Sequence, residues 1–188
     1  MPTLYVIAGC NGAGKTTLSK NLLPDYLGVK EFVNADEIAR GLSPFNAEGV
    51  AFAAGRIMLE RIRELANERA DFAIETTLST LSYASLFRDL KTKGYEIFLL
   101  FVYLQNVNEA LKRVRQRVKS GGHNIPEDVI ERRYNRGLKN LTKTYLSIAD
   151  SWVIIDNSSE SAIFVAEQKF NQIFIRNEDI WEQIKSHE

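Results

Sequence analysis

Nine residues near the start of the chain, Gly9-Cys10-Asn11-Gly12-Ala13-Gly14-Lys15-Thr16-Thr17, carry the spacing G-x-x-x-x-G-K-T. An apolar run, Leu4-Tyr5-Val6-Ile7-Ala8, precedes them, and a helical pattern through Leu18, Leu22 and Leu23 follows. That strand, loop and helix context is the one the spacing requires. Glycines let a loop fold back so that successive backbone N–H groups converge on one anion. The helix that begins there adds the positive end of its dipole. Gly9, Asn11, Gly12, Ala13, Gly14 and Thr17 would form the cradle. Lys15 would reach the outer phosphates as a point charge, and the Thr16 hydroxyl would ligate Mg2+. The pattern predicts binding of a nucleoside triphosphate, ATP in the reading developed below.

Two acids are candidates to work beside that loop. Asp36 follows a short strand, Glu31-Phe32-Val33-Asn34, expected beside the phosphate-loop strand. It therefore falls where open α/β sheets place their ligands. Asp36 could equally cap the helical turn Asp36–Arg40, and the two roles are compatible. Glu75 follows Asp71-Phe72-Ala73-Ile74 and leads into Thr76-Thr77 at the same sheet edge. Two carboxylates near one Mg2+ site divide the work of phosphoryl transfer: one accepts a hydroxyl proton, the other binds metal water or the acceptor. The chain has no guanine-reading N-K-x-D and no classical apolar run ending in Asp to serve as a Walker B; Glu75, after Phe72-Ala73-Ile74, is the nearest equivalent of the latter. This set favours a small-molecule kinase over a motor ATPase or a GTPase switch.

Positive charge for the γ-phosphate is concentrated between residues 113 and 136, where Arg113, Arg115, Arg117, Arg132, Arg133 and Arg136 flank Gly121-Gly122. A helix, glycine loop and helix loaded with arginine can stabilise transferring charge and exclude water. Helical geometry separates the six. Arg113 and Arg117 lie one turn apart at the edge of the stripe Val107, Ala110, Leu111, Val114 and Val118. Arg133 borders the face Ile130, Tyr134, Leu138 and Leu141, whereas Arg132 and Arg136 point away from it. Arg117 and Arg133, then Arg113, are the candidates, and Arg132 belongs to the surface. His123 fits an exposed or turn-stabilising role better than a substrate contact.

These residues need a frame. Strands are expected at 4–8, 31–34, 71–74, 97–104 and 151–155, alternating with helices. The first helix is broken at Pro24-Asp25-Tyr26 and Gly28. A long helix covers 46–69 with the stripe Val50, Ile57, Met58, Ile62 and Leu65. Alternation of this kind builds a three-layer α/β/α sandwich on a five-stranded parallel sheet. The arginine-rich lid spans about 106–146, and a small β-hairpin across Lys169-Phe170-Asn171 plus a helix occupies about 161–188. The 188 residues suit a single domain. Lys+Arg and Asp+Glu both number 24, so a nucleic-acid or membrane-surface footprint is not expected. The single cysteine, Cys10, excludes an internal disulfide and suits a reducing compartment. Without a signal-like opening or a membrane-length apolar run, the expected location is the cytoplasm. Within the loop, Cys10 reads as a small filler rather than a reactive thiol.

Together the phosphate loop, Val33-Asn34-Ala35-Asp36, Ile74-Glu75-Thr76-Thr77, the segment from Arg113 through Gly121-Gly122-His123-Asn124-Ile125-Pro126 to Arg133-Tyr134, and Asp156-Asn157-Ser158 resemble the zeta-toxin family of P-loop kinases. The resemblance runs from residue 3 to about 160 and is nearest to the family's compact stand-alone branch. It implies ATP- and Mg2+-dependent phosphorylation of a sugar hydroxyl on UDP-N-acetylglucosamine. By position it makes Asp36 the base, places Glu75 on the acceptor side with Thr76 and Arg113 nearby, and makes Arg117 and Arg133 the lid arginines. Asn157 joins the ATP-binding set. The family also implies a separate antitoxin chain as a partner, and a monomer is expected otherwise.

Overall fold

The computed structural model describes residues 1–122 and 124–187, so His123 lies outside the described residues. Its first strand, β1 (Thr3–Gly9), delivers the phosphate loop to α1 (Lys15–Tyr26). β2 (Glu31–Val33), α2 (Ala35–Leu42), α3 (Ala51–Asn67) and β3 (Phe72–Thr76) follow. Next come α4 (Ser82–Thr92), β4 (Glu96–Tyr103), α5 (Val107–Lys119) and α6 (Glu127–Asn140). A π-helical turn, Leu141–Tyr145, and α7 (Leu146–Ile148) lead to β5 (Ser151–Asp156), β6 (Ile163–Lys169), β7 (Gln172–Ile175) and α8 (Glu178–Lys185).

Among the described residues, seven strands form one sheet in the order β2-β3-β1-β4-β5-β6-β7. β1 to β5 are parallel. The expectation of five parallel strands holds for that part, but the terminal hairpin is no separate appendage. β6 pairs antiparallel with β5, and β7 with β6, so the sheet is mixed and seven-stranded. The reason is an unpaired edge: β5 is apolar and central in character, and β6 supplies the hydrogen bonds its outer side would otherwise lack. Lys169 pairs with Gln172 across a two-residue turn. Phe170 and Asn171 both have positive φ there, 53° and 60°, as a hairpin turn matched to strand twist demands. α8 covers this extension, stacking Trp181 on Trp152 with ring centroids 5.6 Å apart.

A second correction concerns strand order. β3, not β2, lies beside β1. The crossover through α1 leaves a gap that β3 fills, with Ile7 level with Glu75. Glu75 is thus the acid on the neighbouring strand, and Asp36 approaches from the edge strand through α2.

Local differences have simple causes. α1 runs through Pro24 to Tyr26, because a proline near a helix end removes only one hydrogen bond. The long helix begins as a 3-10 turn at Glu48–Val50 and buries Ala54, Met58, Ile62, Leu65 and Ala66. Ile57, expected on that stripe, is instead exposed; alanines at 54 and 66 carry the buried face round the other side. The core is the sheet itself. Leu4, Val6, Ile7, Phe72, Ile74 and Ile154 have no exposed surface at all. Burial of that extent on both faces holds the strand ends, and the loops they deliver, in fixed positions.

Candidate active site

The phosphate loop is gripped from two sides. The backbone at Gly9 has φ 143°, and a Cβ there would stand 2.3 Å from the Val102 carbonyl oxygen of β4. At Gly12 a Cβ would stand 2.9 Å from the Ala110 carbonyl oxygen, so α5 lies directly on the loop. The Asn157 amide donates to the Ala13 carbonyl at 2.8 Å. Asn157 therefore buttresses the loop from the end of β5. Arg113 sits over the same region, donating to Glu109 at 2.9 Å and to the Ser158 carbonyl at 3.1 Å. The Cys10 thiol is buried, and that burial raises its pKa to about 11. It is a neutral filler, as its place in the loop predicts.

Lys15 is buried and donates to the Cys10 carbonyl at 3.0 Å. Its Nζ stands 3.7 Å from Glu75 Oε1. Glu75 Oε2 accepts from the Thr16 hydroxyl at 2.8 Å and from the Asn34 amide at 2.9 Å. Glu75 thus touches the Thr16 side of the loop. A hydroxyl and a carboxylate side by side are hard oxygen donors of the kind that suits Mg2+.

Asp36 is exposed at the start of α2. The cap of that helix is Asn34, whose side-chain oxygen accepts from the Asp36 and Glu37 backbone N–H groups at 2.8 and 3.3 Å. Asp36 is therefore not the cap, and its carboxylate is left for other work. Two recesses meet at this point. One, of about 290 Å3, is lined by Gly12, Gly14, Thr16, Thr17, Arg40, Arg113 and Arg117. The other, of about 270 Å3, is lined by Asn34, Thr76, Thr77, Ser79, Thr80, Ser82, Tyr83 and Arg133. Asn11, Lys15, Asp36 and Glu75 line both. The seam between a phosphate-sized recess and a hydroxyl-lined one is where a transferring phosphoryl group would pass.

The lid residues divide as helical geometry predicts. Arg133 donates to Asn11 Oδ1 at 3.4 Å, bridging α6 to the loop. Arg117 lies at the rim of the first recess, its stem against Gly122. Arg132 is exposed and pairs with Asp128 at 3.6 Å. α6 also grips the second recess. At Gly137 a Cβ would stand 2.6 Å from the Thr77 carbonyl oxygen. Asn140 donates to the Leu78 carbonyl at 2.7 Å. Leu78 is itself fully buried with φ 53°, a strained conformation for a large side chain that its surroundings must impose.

Sequence reasoning gave no role to Asn34, Arg40, Gly137 or the hydroxyl row from Thr77 to Ser82. An Asn two residues before an acid at a helix start is a cap signature, and that signal was present in Val33-Asn34-Ala35-Asp36. Gly137, inside an otherwise regular helical pattern, signalled a close approach.

The model of the zeta-toxin family matches residues 1–169. An uncharacterized protein of Haemophilus influenzae is 32% identical over 126 residues, 67% of this chain and 88% of that one. Among solved structures, the AvrRxo1-ORF1:ORF2 complex with ATP superposes with a TM-score of 0.82 at 17% identity, covering 100% of this chain and 64% of that one. The chain thus spans somewhat under two thirds of that protein. A structure from the PezAT chromosomal toxin-antitoxin system of Streptococcus pneumoniae gives a TM-score of 0.69 at 19% identity, covering 97% and 78%. At these identities the structural likeness speaks for the fold, and the family match rests on sequence. The chain belongs to the zeta-toxin family of P-loop kinases.

Proposed function

We propose that this protein transfers the γ-phosphoryl group of ATP to a hydroxyl of a small molecule, most specifically a nucleotide sugar such as UDP-N-acetylglucosamine. The observation that carries the reading is the shared seam: Asn11, Lys15, Asp36 and Glu75 line both recesses. A donor phosphate in the first and an acceptor hydroxyl in the second would face each other across it. Asp36 accepts the acceptor's proton as the oxygen attacks phosphorus. Lys15 exchanges its loop carbonyl for phosphate oxygens, and Arg133 and Arg117 hold the spreading charge. Thr16 and Glu75 would hold Mg2+, which would supply positive charge against the phosphates. Glu75 thereby serves the metal as much as the acceptor side that the family resemblance assigns to it. α5 and α6 close over the loop and keep water from competing for the phosphoryl group.

The nucleotide-sugar class has its own support. The second recess opens past Thr80, Ser82, Tyr83 and Arg133 into a groove of about 1040 Å3 between α3 and α4. Its walls carry Arg56, Arg63 and Lys93 together with Phe52 and Leu86. Room, cations and an aromatic surface suit a diphosphate with a base better than a compact polyol. A separate antitoxin chain is the proposed partner, since the PezAT neighbour comes from a toxin-antitoxin system. No helix of the described residues is long and apolar enough to cross a membrane, and the proposed location is the cytoplasm.

The test is ATP consumption with Mg2+ in the presence and absence of UDP-N-acetylglucosamine, with products read by mass. An acceptor one phosphate heavier supports the full reading. ATP loss unchanged by the sugar nucleotide, with no phosphorylated product, removes that acceptor and sends the search to other hydroxyl compounds.

A further inference from the structure

We infer that Asn34 is a positioning residue that sets the base-bearing helix and the metal-side carboxylate relative to each other. The inference rests on the kinase reading. Asn34 directly follows β2, caps α2 and is 6% exposed. Its side-chain oxygen accepts from the first N–H groups of α2, at Asp36 and Glu37. Its nitrogen donates to Glu75 Oε2 at 2.9 Å, the same oxygen that accepts from the Thr16 hydroxyl. One planar amide therefore joins the backbone at the start of α2, which carries Asp36, to the Glu75 carboxylate of β3. The first turn of α2, and with it the Asp36 backbone, cannot drift from Glu75 without breaking one bond or the other.

The chemistry explains why the residue is an amide. Serine or aspartate would cap α2 as well as asparagine does. Neither supplies a donor at the distance of Glu75: serine is too short, and aspartate presents a second anion to the first. An amide alone of these caps the helix with one atom and donates to a carboxylate with the other. The bond orients the Glu75 carboxylate and leaves its second oxygen toward Lys15. Partners of this kind, one step removed from a metal, change affinity or activity by about 10- to 100-fold when lost.

The experiment compares Asn34→Ser, Asn34→Asp and Asn34→Ala with the wild type. Readouts are thermal unfolding, binding of a fluorescent ATP analogue with and without Mg2+, and transfer to UDP-N-acetylglucosamine across pH. If Asn34 positions Glu75, the Ser and Asp variants melt close to wild type. Both lose about tenfold or more in Mg2+-dependent binding and in kcat, while Mg2+-free binding is unchanged. If Asn34 is only a cap, the Ser and Asp variants match wild type in every readout and Ala alone is impaired; that result overturns the inference. An early-melting Ser variant would leave the Asp variant to decide by the same criteria. Should the wild type transfer no phosphate, the kinase reading fails, yet the Mg2+-dependence of binding still reports on Asn34.

Discussion

The two halves of the site are built differently. On the phosphate-loop side, backbone meets backbone, with Gly9 against Val102 and Gly12 against Ala110, and the Asn157 side chain braces the Ala13 carbonyl. On the acceptor side, most of the wall is side chain. Hydroxyls from Thr77 to Ser82 face a recess that runs into an open groove, and Phe52 at the groove's lip is almost wholly exposed. A site made of backbone at close quarters admits one ligand shape, since no rotamer change can alter it. A site walled by side chains and open to solvent can be refitted by substitution.

Four substitutions would break or sharpen this contrast. Lys15→Ala strikes the nucleotide side at a buried cation, and kcat/KM should fall on the order of a thousandfold; a loss below tenfold would show that the loop works without it. Asp36→Asn lies on the seam. ATP analogue binding should hold while transfer falls by about a hundredfold or more, and a wild-type rate would remove Asp36 as base. Gly137→Ala tests whether part of the acceptor side is backbone-packed after all. A methyl 2.6 Å from the Thr77 carbonyl must push α6 away, costing about 1–3 kcal/mol. Denaturant unfolding should show the loss; unchanged stability would mean that α6 yields freely. Phe52→Ala should be mildest. It should raise the acceptor's KM about fivefold, near 1 kcal/mol, and leave the KM for ATP unchanged. Equal shifts in both would abolish the distinction between the halves.

The same contrast governs what could be read from sequence. The phosphate loop was legible because its chemistry is local: the glycines, Lys15 and Thr16 sit within one strand–turn–helix unit. Asp36 and Glu75 were legible as strand-end acids, but which strand neighbours β1 was not. Pairing order depends on crossovers, and nothing within 31–34 distinguishes an edge strand from an inner one. The geometry of helices separated Arg133 from Arg132 correctly because the period of a helix fixes which side chains share a face. The hairpin was visible as a hairpin, yet its docking on β5 is a non-local pairing that no spacing encodes. Asn34 was in plain view as a cap. Its bond to Glu75 joins positions 41 apart, and such a contact appears only once the sheet is assembled.

The place of β1 has a consequence for how the chain is made. β1 is hydrogen-bonded on one side to β3 and on the other to β4, although it is synthesised before both. Gly9 finds its partner Val102 only after most of another hundred residues have been added. At typical synthesis rates that is a wait of about 5–20 s. Until β3 is made the apolar β1 has no neighbour to pair with, and until β4 and α5 follow, the glycine loop is not packed from both sides. An unpaired apolar strand in that interval is the kind of surface that invites aggregation.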